Sequence, residues 1–408
     1  MVSSPISAVS VLAASRAARL SKGLTFTLLA STVMSFLAGS SAPTPLYALY
    51  QARWGFSPIT TTVIFGVYAL AVLAALVTVG SLSDYVGRRP VLVAATLLQA
   101  LTMLLFATAS GVSTLLVARV VQGIATGGAL GAIGAGLVDI DRMKGTVANS
   151  VAPMLGTATG GVVSGLMVQY LPAPTQLVYF TLLLVFLVQA VGVVLMAETA
   201  QVRPGALASL RPQFRLPAEL RAPMLVAAPL LVAAWALPGF YGSLGPLLIQ
   251  RVVGHKSVLL GGLALFVLAG SGAAAVLLLR ARAARFLTLV GAFSLGFGVS
   301  LTLWAIARNS VPVLFVGMAV AGAGFGTGFQ GAIRNLIPNA PAHARAGVLS
   351  VIFLISYLAM GAPAIAAGFR FVHTRNLPLV ANEYGVSVIV LAAAAFVGAL
   401  RRPYKAGV

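Results

Sequence analysis

Apolar runs of about 20 residues recur along the whole chain, separated by short polar or basic connections, and each is long enough to cross a bilayer as a helix. The pattern predicts spans near 24–44, 58–80, 91–109, 113–137, 147–170, 175–197, 223–247, 257–279, 286–307, 311–334, 347–369 and 380–400. A transmembrane barrel would need shorter segments that alternate apolar and polar positions. No such alternation recurs here. The expected fold class is an all-α membrane protein of twelve transmembrane helices.

Composition agrees. Charged residues are 8% of the 408, against roughly a quarter in a soluble domain, and mean hydropathy is +1.02. A net charge of +20 could suggest a nucleic-acid partner, but the basic residues are spread through the connections and form no patch on a soluble domain. The tendency of Lys and Arg to collect in cytoplasmic loops explains them, so no nucleic acid is expected. With the N-terminus inside, Arg53, Arg251, Lys256, Arg308, Arg370 and Arg375 fall outside and Arg119 lies within a span. The remaining nineteen of 26 are then cytoplasmic, which places both termini there. Residues 1–23 read as a retained cytoplasmic lead-in, because Arg16, Arg19 and Lys22 follow its apolar stretch, the reverse of a cleaved signal.

The longest polar connection, 198–222, has four arginines and three prolines and falls at the midpoint. It divides the chain into six-helix halves, 24–197 and 223–400, with a short tail at 401–408. Two parallel halves around a central site are a transporter arrangement. Cysteine is absent, so disulfides and thiolate chemistry are excluded.

Between the second and third spans stands "GSLSDYVGRRPVL". Gly80 would let a neighbouring helix approach, and Gly87 would permit a tight turn. Asp84 at a membrane boundary needs a partner, which Arg88 or Arg89 can supply. The stretch resembles the signature loop of the major facilitator superfamily through Gly80, Leu82, Asp84, Gly87, Arg88, Arg89 and Leu92; Tyr85 stands where that family usually has a basic residue. The resemblance implies a conformational latch between the halves, joined by Asp139 of "LVDIDRMKG". In the fourth span "RVVQGIATGG" is similar to the family's Arg-x-x-Gln-Gly motif. There Arg119, Gln122 and Thr126 share one helical face and Gly123 and Gly127 form a small-residue ridge. In the fifth, "APMLGTATGGVVSG" partly matches an exporter motif through Gly156, Gly160 and Gly161. Ala152 and Thr157 replace its first glycine and its proline.

The six acids, Asp84, Asp139, Asp141, Glu198, Glu219 and Glu383, and the three histidines all fall in connections or at span ends. No metal-ligand spacing and no nucleophile–base set is visible, so neither enzyme, metal nor cofactor is expected. An arginine embedded in a span is costly and usually faces a cavity or a partner. Candidates for the cavity lining are Arg119, Gln122, Thr126, Ser35, Tyr47, Trp235, Tyr241, Gln330, Arg334 and Tyr357, a neutral-to-positive set suited to an amphipathic molecule. The expected function is transport of small organic molecules by alternating access, as a monomeric inner-membrane efflux antiporter in the bilayer, with protons as a candidate coupling ion. A facilitator or importer is the alternative within this class, and a transport-inactive receptor or assembly protein the alternative outside it.

Overall fold

Prolines and small polar residues set the helix ends in the computed structural model, which describes residues 20–212, 214, 216–254, 257–341 and 344–401. Most of the lead-in, most of the C-terminal tail, His255 and His343 lie outside the described residues. Twelve helices are long and apolar enough to span a membrane. In the N-terminal half they are α1 Lys22–Ser41, α2 Pro58–Val79, α3 Arg88–Ala107, α4 Val112–Ile140, α5 Arg142–Tyr170 and α6 Leu177–Leu195. In the C-terminal half they are α7 Ala218–Ser243, α8 Val258–Leu278, α9 Ala284–Arg308, α10 Val311–Leu336, α11 Arg345–Thr374 and α12 Leu377–Arg401. No strand occurs among the described residues. The Ser21 hydroxyl caps α1, Pro58 opens α2 at a position where its missing N–H is harmless, and Asp141 caps α5 through Met143 N and Lys144 N.

Within each half, glycines set the helix spacing. A Cβ on Gly123 or Gly127 of α4 would stand 2.8 Å from Tyr68 O or 2.5 Å from Val72 O of α2. On α10 the same four-residue spacing recurs, with Gly322 against Leu268 O and Gly326 against Gly272 O of α8. The halves therefore repeat one helix–helix contact. Gly131 also lets α4 reach the backbone at Gly80, a Cβ on Gly131 standing 2.3 Å from Gly80 O, whereas one on Gly80 would meet Leu76 O of its own preceding turn.

The halves meet through α5 on α8 and α2 on α11, two contacts related by that internal repeat. We call the end carrying the Gly80–Leu92 loop the inner end. Toward the outer end, Gly161 lies against Gly262, Gly165 against Leu259, and Gly368 against Thr62. Polar links join the halves there too, from Thr44 Oγ1 to Gly242 O (3.4 Å) and from Leu259 N to Gln169 Oε1 (3.3 Å). Further in, one buried cluster joins Phe65, Tyr68, Val72 and Leu73 of α2 to Tyr357 and Met360 of α11.

Candidate functional site

At the inner end, α2 stops at Val79 and a single turn, Ser83–Val86, leads to Gly87. Gly87 takes φ +99°, a conformation that side-chain-bearing residues rarely adopt, and α3 starts at once with Arg88. Arg88 is buried and forms an ion pair with Asp84. It also donates from Nη1 to Ser83 Oγ (2.8 Å) and from Nε to Asp139 Oδ2 (3.4 Å). The structure thus brings together Gly80, Asp84, Gly87, Arg88 and Asp139, all from the N-terminal half.

Sequence reasoning missed Glu198, which completes this cluster. Its carboxylate accepts from the backbone N–H groups of Arg88 (2.8 Å) and Arg89 (2.9 Å), the open first turn of α3. Thr199 N and Ala200 N bond it as well. Partial burial pushes its acidity constant up, but these four backbone donors outweigh burial and hold the carboxyl below the ordinary glutamate value. The visible signal was an acid placed immediately after the sixth span. Tyr85 also has a structural place: its carbonyl accepts from Arg203 N (2.9 Å) and its ring rests on Gly205, so the central connection folds back on the signature loop.

Mid-membrane, Pro43 has no N–H, so Gly39 O loses its helical partner. Thr44 N turns back to Ser41 O, which leaves Ser40 O open as well. The fourth span supplies both replacements. Gln122 Nε2 donates to Gly39 O (3.0 Å), and Arg119 Nη1 donates to Ser40 O (2.9 Å) and Gln122 Oε1 (2.6 Å). Arg119 Nε and Nη2 both reach the Tyr47 hydroxyl, at 3.0 and 2.5 Å. The guanidinium carbon stands 5.7, 5.2 and 5.6 Å from the ring centroids of Tyr47, Tyr68 and Phe106. Arg119 is 0% exposed and none of these partners is an acid. A cation at the C-terminal end of α1 also meets the negative end of that helix dipole. In the repeat, Met318 precedes Gly322 as Arg119 precedes Gly123, so this charge belongs to one half alone.

Across the junction, Trp235 of α7 packs against Phe325 and Phe329 of α10 and Tyr357 of α11, with centroids 6.0, 5.2 and 5.0 Å away. Tyr68 of α2, which sequence reasoning also missed, shares one buried cluster with Tyr357 and Trp235 while its ring faces Arg119. A continuous row, Arg119–Tyr68–Tyr357–Trp235, therefore crosses from one half to the other. Thr126 is fully buried one turn inward of Gln122.

The remaining predicted lining residues lie elsewhere. Ser35 accepts from Gln189 Nε2 of α6 at 2.9 Å. Tyr241 sits in the core of the C-terminal half, its hydroxyl beside Thr302 of α9. Arg334 lies toward the inner end of α10 and donates from Nη1 to Arg280 O (2.8 Å). With its amide oriented to suit both neighbours, Gln330 accepts from Arg334 Nε (3.0 Å) and donates to Ser150 Oγ of α5 (3.1 Å), a further link between the halves. Gly156 and Gly160 press on Met34 O and Ala38 O of α1, while Gly161 faces α8.

Comparison with known proteins agrees with this architecture. Among solved structures, a mutant of the nucleoside transporter NupG superposes with a TM-score of 0.71 at 12% identity, over 93% of this chain and 100% of that one. The human organic anion transporter MFSD10 (TETRAN) gives 0.67 at 16% identity, over 94% and 99%. At such identities these matches speak for the fold alone. No curated protein sequence matches the chain. The sequence pattern that defines the Major Facilitator Superfamily matches residues 28–364, and with the twelve-helix, two-half fold it makes this chain a member of that family.

Proposed function

We propose that the protein is an efflux antiporter for small anionic or neutral organic molecules, set in the inner membrane with both termini cytoplasmic. Its family makes it a secondary transporter of small solutes and not an enzyme. One observation carries the finer reading. A guanidinium lies at membrane depth with neutral partners only, while all six acids lie near helix ends or in connections. A carrier of lipophilic cations would want a carboxylate at that depth to alternate between proton and cargo. Here the uncompensated charge of Arg119 biases the centre toward anions and neutral acceptors. Arg119 acts through its field and by holding the broken end of α1. The partial glycine motif of α5 favours export over import.

The Asp84–Arg88–Asp139 cluster serves as the latch. Among the described residues its partners come from the N-terminal half and the central connection. Asp84 and Asp139 are the candidate proton carriers.

Ligand-induced thermal stabilisation of the purified protein tests this reading, with anionic, neutral and cationic panels on wild type, Arg119→Lys and Arg119→Ala. Ligands of the folded state raise its apparent stability by mass action. Anions should stabilise wild type and Arg119→Lys and lose that effect in Arg119→Ala. Equal stabilisation of all three proteins by lipophilic cations would sink the anion reading. Counterflow of labelled solute in liposomes separates a transporter from a receptor. Uptake into inside-out vesicles, absent from right-side-out ones, marks export.

A further inference from the structure

The Trp235 indole carries a donor that nothing among the described residues satisfies: Nε1–H is buried and meets no acceptor. A buried tryptophan N–H usually finds a partner, and leaving one unmet costs about 1–3 kcal/mol. Its surroundings explain why none is within reach. Phe325 and Phe329 stand edge-on to the indole at interplanar angles of 78° and 72°, and Tyr357 is tilted at 49°. Pro238 in α7 and Pro363 in α11 leave Ala234 O and Ala359 O without helical partners, yet neither carbonyl accepts from Nε1. The donor therefore sits in an aromatic cluster at the junction of the two halves, where on the transporter reading a solute passes.

Resting on the transporter reading above, we propose that Trp235 is a substrate-binding residue. Its ligand class is a flat aromatic molecule bearing a carbonyl or carboxylate oxygen, which accepts the Nε1 hydrogen bond while its ring packs among Phe325, Phe329 and Tyr357. Two features select this class over others. Edge-on and tilted aromatic neighbours offer faces and edges to a planar ring at favourable centroid spacings of roughly 4.5–7 Å. The Arg119 charge, on the far side of Tyr68 and neutralised by no acid, favours an oxygen that carries negative charge. A cationic ligand would find neither an acceptor at Trp235 nor a carboxylate nearby. Arg119 itself already donates to Tyr47, Gln122 and Ser40, whereas the Trp235 N–H has no partner to give up, so Trp235 is the donor left for the ligand.

The test is binding of three naphthalenes of similar shape to the full-length purified protein, read by thermal stabilisation. 2-Acetylnaphthalene has a neutral acceptor, 2-naphthoate a charged one and 2-isopropylnaphthalene none. The two acceptors should bind wild type about three- to tenfold more tightly than the isopropyl compound, the range of one hydrogen bond. Trp235→Phe, which keeps the ring and removes the N–H, should bind all three alike. A second variant guards against misfolding. In Trp54→Phe/Trp304→Phe, Trp235 is the sole tryptophan, and the acceptor ligands should quench and shift its emission. The inference is overturned if wild type does not favour the acceptors, if Trp235→Phe keeps the preference, or if the sole tryptophan does not respond. Counterflow with a broad panel of other amphipathic solutes is scored separately. Transport there with no naphthalene preference sinks the Trp235 assignment alone, and no transport of any solute sinks the transporter reading with it.

Discussion

At the scale of single residues, the buried arginine is the feature that most needs explaining. Placing a guanidinium mid-helix in a membrane costs about 2.5–3.5 kcal/mol on insertion scales. The return is structural: Arg119 and Gln122 take up the two carbonyls left without helical partners where Pro43 and the turn at Thr44 end α1. Arg119→Ala would leave Ser40 O and the Tyr47 hydroxyl buried without that donor, a loss on the order of 2 kcal/mol or more. We expect its apparent Tm in detergent to fall by several degrees, and Arg119→Lys, with one donor group and no planar fork, to fall between the two. An unchanged Tm for Arg119→Ala would remove the capping role. Glu198 gives a pH-dependent counterpart. Its folded-state acidity constant lies below the unfolded value of 4.5, so its contribution is fully present above that pH and is lost as pH falls through the folded value. Below pH 4.5, wild type should therefore lose a share of stability that Glu198→Gln never had. At neutral pH the variant should be about 1 kcal/mol less stable, the scale of a helix cap. A thermal-unfolding series between pH 7 and pH 3 measures both. Arg119 stood out in the sequence by its type and depth. Its partners Gly39 O and Ser40 O did not, because they are backbone atoms whose availability depends on a turn that forms only in the folded chain.

At the scale of elements, hydropathy located all twelve spans, since each had to be apolar for about 20 residues whatever its neighbours. The ends were less legible. The first span stops at Ser41, before Pro43, and α7 runs Ala218–Ser243 with Pro223 inside its first turns, so hydropathy extended one and displaced the other toward the C-terminus. The glycines were visible as packing residues, but which helix each would meet was not. Gly156 and Gly160 turn to α1 in their own half and Gly161 turns to α8 in the other, a division that one helix's periodicity cannot reveal. That division separates stability from motion. A Cβ on Gly160 would stand 2.3 Å from Ala38 O inside the N-terminal half. One on Gly262 would stand 2.2 Å from Gly161 O across the junction. Overpacking costs typically 1–3 kcal/mol. We therefore expect Gly160→Ala to lower Tm without changing which side of the protein is accessible. Gly262→Ala should instead part the halves toward the outer end and raise labelling of a cysteine introduced at Tyr68. Equal labelling in both variants would show that the α5–α8 contact does not gate access.

At the scale of the whole molecule, the internal repeat makes the contacts α5–α8 and α2–α11 equivalent, and a rigid half can rock only by rolling on both at once. The midpoint connection made the two halves legible; the contacts on which they roll were not, because they depend on tertiary packing of helices from opposite halves of the chain. The absence of cysteine allows a direct test, since every thiol would be an introduced one. A Cβ built on Gly161 lies 3.4 Å from that of Leu265, close to the short end of the separation a disulfide spans, about 3.5–4.5 Å. Gly161→Cys with Leu265→Cys should therefore cross-link on mild oxidation in liposomes and hold α5 to α8. If the halves must separate here for a solute to cross, oxidation stops counterflow and a reductant restores it, while either single cysteine carries solute under both conditions. Full counterflow with the disulfide closed would mean that the halves do not part at this contact. Motion would then have to be confined to helices within each half, and the glycine-to-glycine seam at Gly161 and Gly262 would be a fixed hinge.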